Sequence, residues 1–170
     1  MTLDPGNDLP KPSKLRLAVG LVVSIVICFA AAGLGSLATT PNLPDWYADL
    51  AKPSWNPPSW IFGPVWTVLY LMMAVAAWLV WRQGGFARQR LPLSLFVVQL
   101  GLNTLWSVLF FGMQNPGAAV IDILLLWTAI LLTLIAFWQR SRWAGTLLIP
   151  YLVWVSFATA LNVSIWQLNA

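Results

Sequence analysis

The sequence predicts an all-α membrane protein, a bundle of five transmembrane helices. Three observations predict it. Of 170 residues, 59% are hydrophobic and only 8% charged, against about 25% charged in ordinary soluble domains. Five apolar runs divide the chain, each close to the roughly 20 residues that carry a helix across the hydrocarbon. The basic residues fall almost wholly on alternate connections between those runs. A mean hydropathy of +0.76 agrees.

Residues 1–14 are polar and contain Pro5, Pro10 and Pro12. They are expected to form a disordered tail ahead of one transmembrane domain, residues 15–168. The first apolar run, 17–38, is too long for a signal-peptide core and reads as a retained helix. Residues 39–60 form a loop rich in proline and tryptophan. The second helix is expected at about 61–81, ending in the basic turn RQGGFARQR. The third spans 91–113 and stops at the turn QNPG. The fourth spans 118–138, and the fifth, after QRSRW, spans 144–165.

The charges test this count. Five spans put Lys11, Lys14, Arg16, Arg82, Arg88, Arg90, Arg140 and Arg142 on one side and leave Lys52 alone on the other. Such a bias predicts a cytoplasmic N-terminus. It also explains the net charge of +4, so nucleic acid is not expected as a partner; the lipid bilayer is.

Histidine is absent, which removes the commonest metal ligand and general base. No metal site is expected. The single Cys28 cannot form an internal disulfide and reads as a packing or lipid-facing residue. No span carries a pair of carboxylates. Conventional enzyme chemistry is therefore not expected. Nor is there an internal repeat of the kind that builds inverted-repeat transporters.

Tryptophan is the informative residue, with twelve copies. An interfacial belt accounts for Trp60, Trp78, Trp81, Trp138, Trp143 and Trp166. It does not account for Trp66, Trp106, Trp127 and Trp154, which lie deeper in their spans. On the third helix Gln99, Asn103, Trp106 and Phe110 fall within about 60° of one another at about 100° per residue. Gln and Asn in a span need partners, so this face turns inward, either as hydrogen-bonded packing or as a pocket wall. The second helix aligns Trp66, Tyr70 and Met73. The fifth aligns Trp154, Phe157, Ala158 and Leu161. Three aromatic stripes with amides nearby point to a pocket for a flat, largely apolar ligand.

Asp122 is the one acid inside a span. It lies toward the N-terminal end of the fourth helix, within reach of the interface. Two readings stand: stabilisation of the helix end, or a proton or ligand contact. Ala31, Ala32, Gly33, Gly35 and Ser36 make a small-residue patch that suits close helix contact, within the bundle or between protomers.

The string WYADLAKPSWNPPSWIFGPVWTVLY, residues 46–70, resembles the signature region of the translocator protein family, also called TspO/MBR, tryptophan-rich sensory protein or peripheral benzodiazepine receptor. QLGLNTLWSVLFFG and LLIPYLVWVSFATALN are similar to that family's third and fifth helices. The resemblance implies a five-helix bundle that forms a homodimer and binds tetrapyrroles such as protoporphyrin IX and haem, sterols and synthetic drugs. It implies no obligatory cofactor. Matched by residue, it assigns Tyr47, Trp66, Asn103, Trp106, Trp154 and Ala158 to the ligand pocket, and Trp66 with Trp154 to light-dependent porphyrin degradation. The animal members' sterol pattern, L/V-x-Y-x-K/R, is missing late in the fifth helix: Val163 stands at the tyrosine position and no Lys or Arg follows.

The expected ligand-binding set is therefore Tyr47, Trp55, Asn56, Trp66, Tyr70, Asn103, Trp106, Phe110, Trp154, Phe157, Ala158 and Leu161. Trp55, Asn56, Pro57 and Pro58 are expected to form a lid, stiffened by proline. The leading function is tetrapyrrole binding with a transport, sensing or stress-regulatory role. The rivals are a porphyrin-degrading enzyme using Trp66 and Trp154 as its catalytic pair, and a membrane scaffold.

Overall fold

A computed structural model describes residues 13–170. The expected tail lies outside the described residues as far as position 12. Of its last two residues, Lys14 begins the first helix and Ser13 immediately precedes it. Ser13 caps that helix by accepting a hydrogen bond from the Arg16 backbone N–H at 3.2 Å, the arrangement that satisfies a free donor at a helix start.

The first helix, α1, runs Lys14–Thr39. The expected loop contains a 3₁₀ turn, Thr40–Asn42, the short helix α2, Trp46–Asp49, and a second 3₁₀ turn, Ser59–Ile61. The second span is α3, Phe62–Trp81. Its basic turn holds the short helix α4, Gly85–Arg88. The third span is α5, Arg90–Ser107, which widens into a π turn over Val108–Gly112. The fourth and fifth are α6, Pro116–Arg140, and α7, Arg142–Leu168. Among the described residues, five helices are thus long and apolar enough to cross a membrane. The ends of the first, fourth and fifth spans move outward from the expected bounds because polar caps lie beyond the apolar runs. Asn115 and Ser141 cap α6 and α7 by accepting from the N–H groups of Ala118 and Ala144. Pro116, at the first helical position of α6, lacks only a donor that would be free there anyway.

The spans pack in the closed order α1, α3, α7, α6, α5 and back to α1. The half of the bundle nearest the basic turns is solid. Ala74, Ala76 and Ala77 of α3 are buried beside Cys28, Val80, Ile130 and Leu148, and small side chains let helix axes approach. Phe96 stacks on Phe137 with ring centroids 5.8 Å apart. In the other half Tyr47, Phe110, Phe111, Leu161 and Ile165 form a second cluster under the loop.

Candidate functional site

The site is a hollow of about 620 Å³ in the half of the bundle under the loop, within the range of small-molecule pockets. Helices α1, α3, α5 and α7 wall it, and Leu43, Tyr47, Ser59 and Trp60 roof it. Trp66 and Tyr70 of α3, Asn103, Trp106 and Phe110 of α5, and Trp154, Ala158 and Leu161 of α7 all line it. The three expected stripes therefore converge. The wall opens between α1 and α3, where the lining residues Gly33, Ser36, Gly63 and Thr67 are exposed. A Cβ added to Gly33 or Gly63 would meet nothing within 4 Å. These glycines leave room that a side chain would take.

Polar groups fix the aromatic walls. Tyr70 donates its hydroxyl to Asn103 Oδ1 in a short hydrogen bond, and Asn103 Nδ2 donates to the Tyr151 hydroxyl at 3.1 Å. This bridge ties α3, α5 and α7 at the floor of the hollow. Trp106 donates its indole N–H to Asn162 Oδ1 at 2.9 Å, and Asn162 Nδ2 donates to the Pro116 carbonyl at 3.0 Å. Trp106 is then held parallel to Phe110, with centroids 5.1 Å apart and planes 22° apart. The Trp154 indole N–H is buried with no hydrogen-bond partner among the described residues. A buried donor left unpaired is costly, so it is a group a ligand acceptor could satisfy.

The roof is built the same way. Tyr47 is buried and donates its hydroxyl to Asn56 Oδ1 at 2.9 Å. Burial pushes the Tyr47 phenol above its ordinary pKa, partly offset by the Asn56 bond, so it stays neutral. Lys52 Nζ sits 4.9 Å from the Tyr47 ring centroid while donating to the Ala48 and Leu50 carbonyls. Asn169 bonds both the N–H and the carbonyl of Ala51, and Gln114 donates to Asn42 Oδ1 at 3.2 Å. The roof is thereby fastened to two other segments of the chain.

Three expected ligand contacts lie elsewhere. Phe157 faces an outer groove between α3 and α7, beside Pro64, Val68, Pro150 and Val153. It lies one residue from Ala158, and successive helix positions diverge by about 100°; only one of the two faces the hollow. Trp55 is 47% exposed and packs edge-on against Phe157 at 5.7 Å, outside the lining. Asn56 positions Tyr47 and does not line the hollow. The lid is built from Leu43, Tyr47, Ser59 and Trp60 instead of 55–58.

Two further expectations change. Asp122 does not reach the interface: it is 4% exposed, and its Oδ2 has no hydrogen-bond partner among the described residues. Nor does it line the hollow. Gln99 is buried below the hollow, donating weakly to Met73 Sδ at 3.9 Å. Gly35, of the small-residue patch, closes α1 onto α5: an added Cβ would lie 3.1 Å from Ser107 Oγ. Trp127 bonds Ser156 Oγ at 2.8 Å on the outer face of α6 and α7.

Some lining residues escaped the sequence reading. Phe111 lines the hollow beside Phe110 because the π turn, with Met113 N–H bonded to the Val108 carbonyl, turns both rings inward. Trp60 lines the roof although its position suits a belt. Asn162 gave a signal, an amide within a span, that could have been read as Gln99 and Asn103 were.

A family model described as the TspO/MBR family matches residues 24–167. The "Tryptophan-rich protein TspO" of Archaeoglobus fulgidus is 44% identical over 150 residues, covering 88% of this chain and 97% of the relative. The "Translocator protein" of Homo sapiens is 46% identical over 126 residues, covering 73% and 75%. The "Tryptophan-rich sensory protein" of Cereibacter sphaeroides is 41% identical over 149 residues, covering 86% and 92%.

Proposed function

The chain belongs to the TspO/MBR family of integral, multi-pass membrane proteins, and from that premise we propose that its hollow binds a tetrapyrrole such as protoporphyrin IX or haem. One observation carries the reading. Trp66, Trp106 and Trp154, from three different helices, line a single cavity of about 620 Å³ whose remaining lining is mostly apolar. Flat aromatic ligands gain from offset and edge-on contacts with such rings. The opening between α1 and α3 is a route for an apolar ligand that does not require the roof to lift. Bound ligand serves transport, sensing or stress regulation, and the cavity needs no obligatory cofactor. In the test, protoporphyrin IX is titrated into detergent-solubilised protein while tryptophan fluorescence is followed. Saturable quenching at micromolar ligand is the expected result; unchanged emission at that concentration counts against the reading.

A second reading, light-dependent breakdown of the porphyrin, is favoured by Trp66 and Trp154 facing the same hollow. Indoles are electron-rich partners for an excited macrocycle. Under illumination the porphyrin absorption should bleach in the native protein and persist in Trp66→Phe/Trp154→Phe. Equal bleaching in both would remove the enzyme reading.

The basic ends of α1, α3, α5, α6 and α7 favour a cytoplasmic N-terminus. The exposed apolar side chains along α1, from Val19 to Leu37, suit a homodimer contact within the bilayer. Cysteine labelling from each side and light scattering of the purified protein test these two. The missing tyrosine at Val163 argues against sterol capture late in α7.

A further inference from the structure

At the basic end, Gly20 of α1 opens a notch for the Trp81 ring: a Cβ there would lie 2.2 Å from Trp81 Cζ3. The seated ring carries the Arg16 guanidinium over its face, 5.7 Å from the centroid. It also turns its indole N–H toward the left-handed Gly84–Gly85 turn, where φ is +130° and +72°. A Cβ added to Gly85 would find Arg16 Nη2 at 3.8 Å and Trp81 Nε1 at 4.0 Å. Two donors, one cationic, thus flank one point beside a backbone that lacks a side chain. The neighbouring Trp78 indole is already satisfied by the Leu17 carbonyl at 2.9 Å. The Trp81 indole has no hydrogen-bond partner among the described residues, and Arg16 pairs with no acid among them. Arg82 and Arg88 are exposed nearby, whereas the acids of the described chain, Asp45, Asp49 and Asp122, lie in the opposite half.

We propose that Arg16, the Trp81 indole N–H and the Gly84–Gly85 turn form a cradle for the phosphate of an anionic lipid headgroup. Arginine and an indole N–H both bond phosphate oxygens well. Val19 and Val23, three and seven residues along α1 from Arg16 and so on its face, are exposed at 53% and 49%. They supply apolar surface on the bilayer side of the cradle, where acyl chains of the same lipid would run. A lipid thus fits better than free phosphate, although both share the headgroup chemistry.

The test is native mass spectrometry of the delipidated full chain in neutral detergent, titrated with phosphatidylglycerol or phosphatidylcholine. One saturable phosphatidylglycerol adduct is expected, with no counterpart for phosphatidylcholine. Arg16→Gln should weaken it about fivefold, the worth of one surface cation, and Arg16→Lys less. Trp81→Phe keeps the ring in the Gly20 notch and should also weaken the adduct. Arg142→Gln, elsewhere at the same end, should leave it unchanged. Equal binding of both lipids, equal loss in Arg142→Gln, or full affinity in Trp81→Phe would overturn the cradle. Displacement by millimolar inorganic phosphate would overturn the lipid as its occupant.

Discussion

At the basic end the five helices meet through Ala74, Ala77, Val80 and the stacked pair Phe96–Phe137; at the other end four of them, α1, α3, α5 and α7, stand apart around a hollow. The difference comes from what fills the seam. In the solid half, alanines of α3 let its neighbours close. In the hollow half, large rings on α3 and α5 are braced by amides, so that they hold the walls without filling the centre. Tyr70 leans on Asn103, and Trp106 on Asn162. Glycines at 33 and 63 leave the gap between α1 and α3 unfilled. One half supplies stability and the other spends part of it on a cavity.

That contrast can be broken from the solid side first. Phe137 is fully buried, and Phe137→Ala should lower unfolding free energy by about 3 kcal/mol or more, read by denaturant titration in micelles. A comparable loss from truncating a cavity-lining ring such as Trp66→Ala would blur the distinction between the halves; a smaller one is expected, since that ring already faces empty space. Next comes Asn103→Leu. It leaves the buried hydroxyls of Tyr70 and Tyr151 without their shared partner and should cost about 1–2 kcal/mol in the same titration, together with a loss of ligand affinity as the floor loosens.

The mouth sharpens the contrast without touching the core. A side chain at Gly63 meets open space, so Gly63→Trp should leave stability nearly unchanged while reducing protoporphyrin IX affinity at least about tenfold, or about 1.4 kcal/mol. Retained affinity would point to a site other than the hollow. The smallest effect is expected at the roof. Tyr47→Phe removes the bond to Asn56 and should cost about 1 kcal/mol. Because burial raises the folded-state pKa of Tyr47 above its ordinary 10.0, the neutral phenol is the form the fold favours. Its contribution is complete below about pH 10 and lost as pH rises through the higher folded value. Melting temperatures of native protein and Tyr47→Phe should therefore differ most below pH 10 and converge above it.

Much of this was legible in the residues. Span count followed from run length and from the basic residues, because lipid permits few alternatives. The stripes on α3 and α5 followed from helical period, and the structure brings Trp66, Tyr70, Asn103, Trp106 and Phe110 to one hollow. Period alone could not find Phe111, because a π turn changes the angular step. It could not separate Phe157 from Ala158, because both lie near the edge of a broad stripe. The loop defeated the reading more fully. Tyr47 had to come from family resemblance, and the lid was set on Trp55 and Asn56, since nothing local reveals that Asn169 and Gln114 pin the roof from far along the chain. Gly33 and Gly63 contribute by having no side chain, which no pattern of side chains displays.

A structure of the protein with protoporphyrin IX bound tests the central claim most directly. The macrocycle should lie among Trp66, Trp106 and Trp154 beneath Tyr47, with an acceptor near the Trp154 indole N–H. A porphyrin seated in the outer groove beside Pro64, Pro150 and Val153, with the hollow left empty, would contradict it.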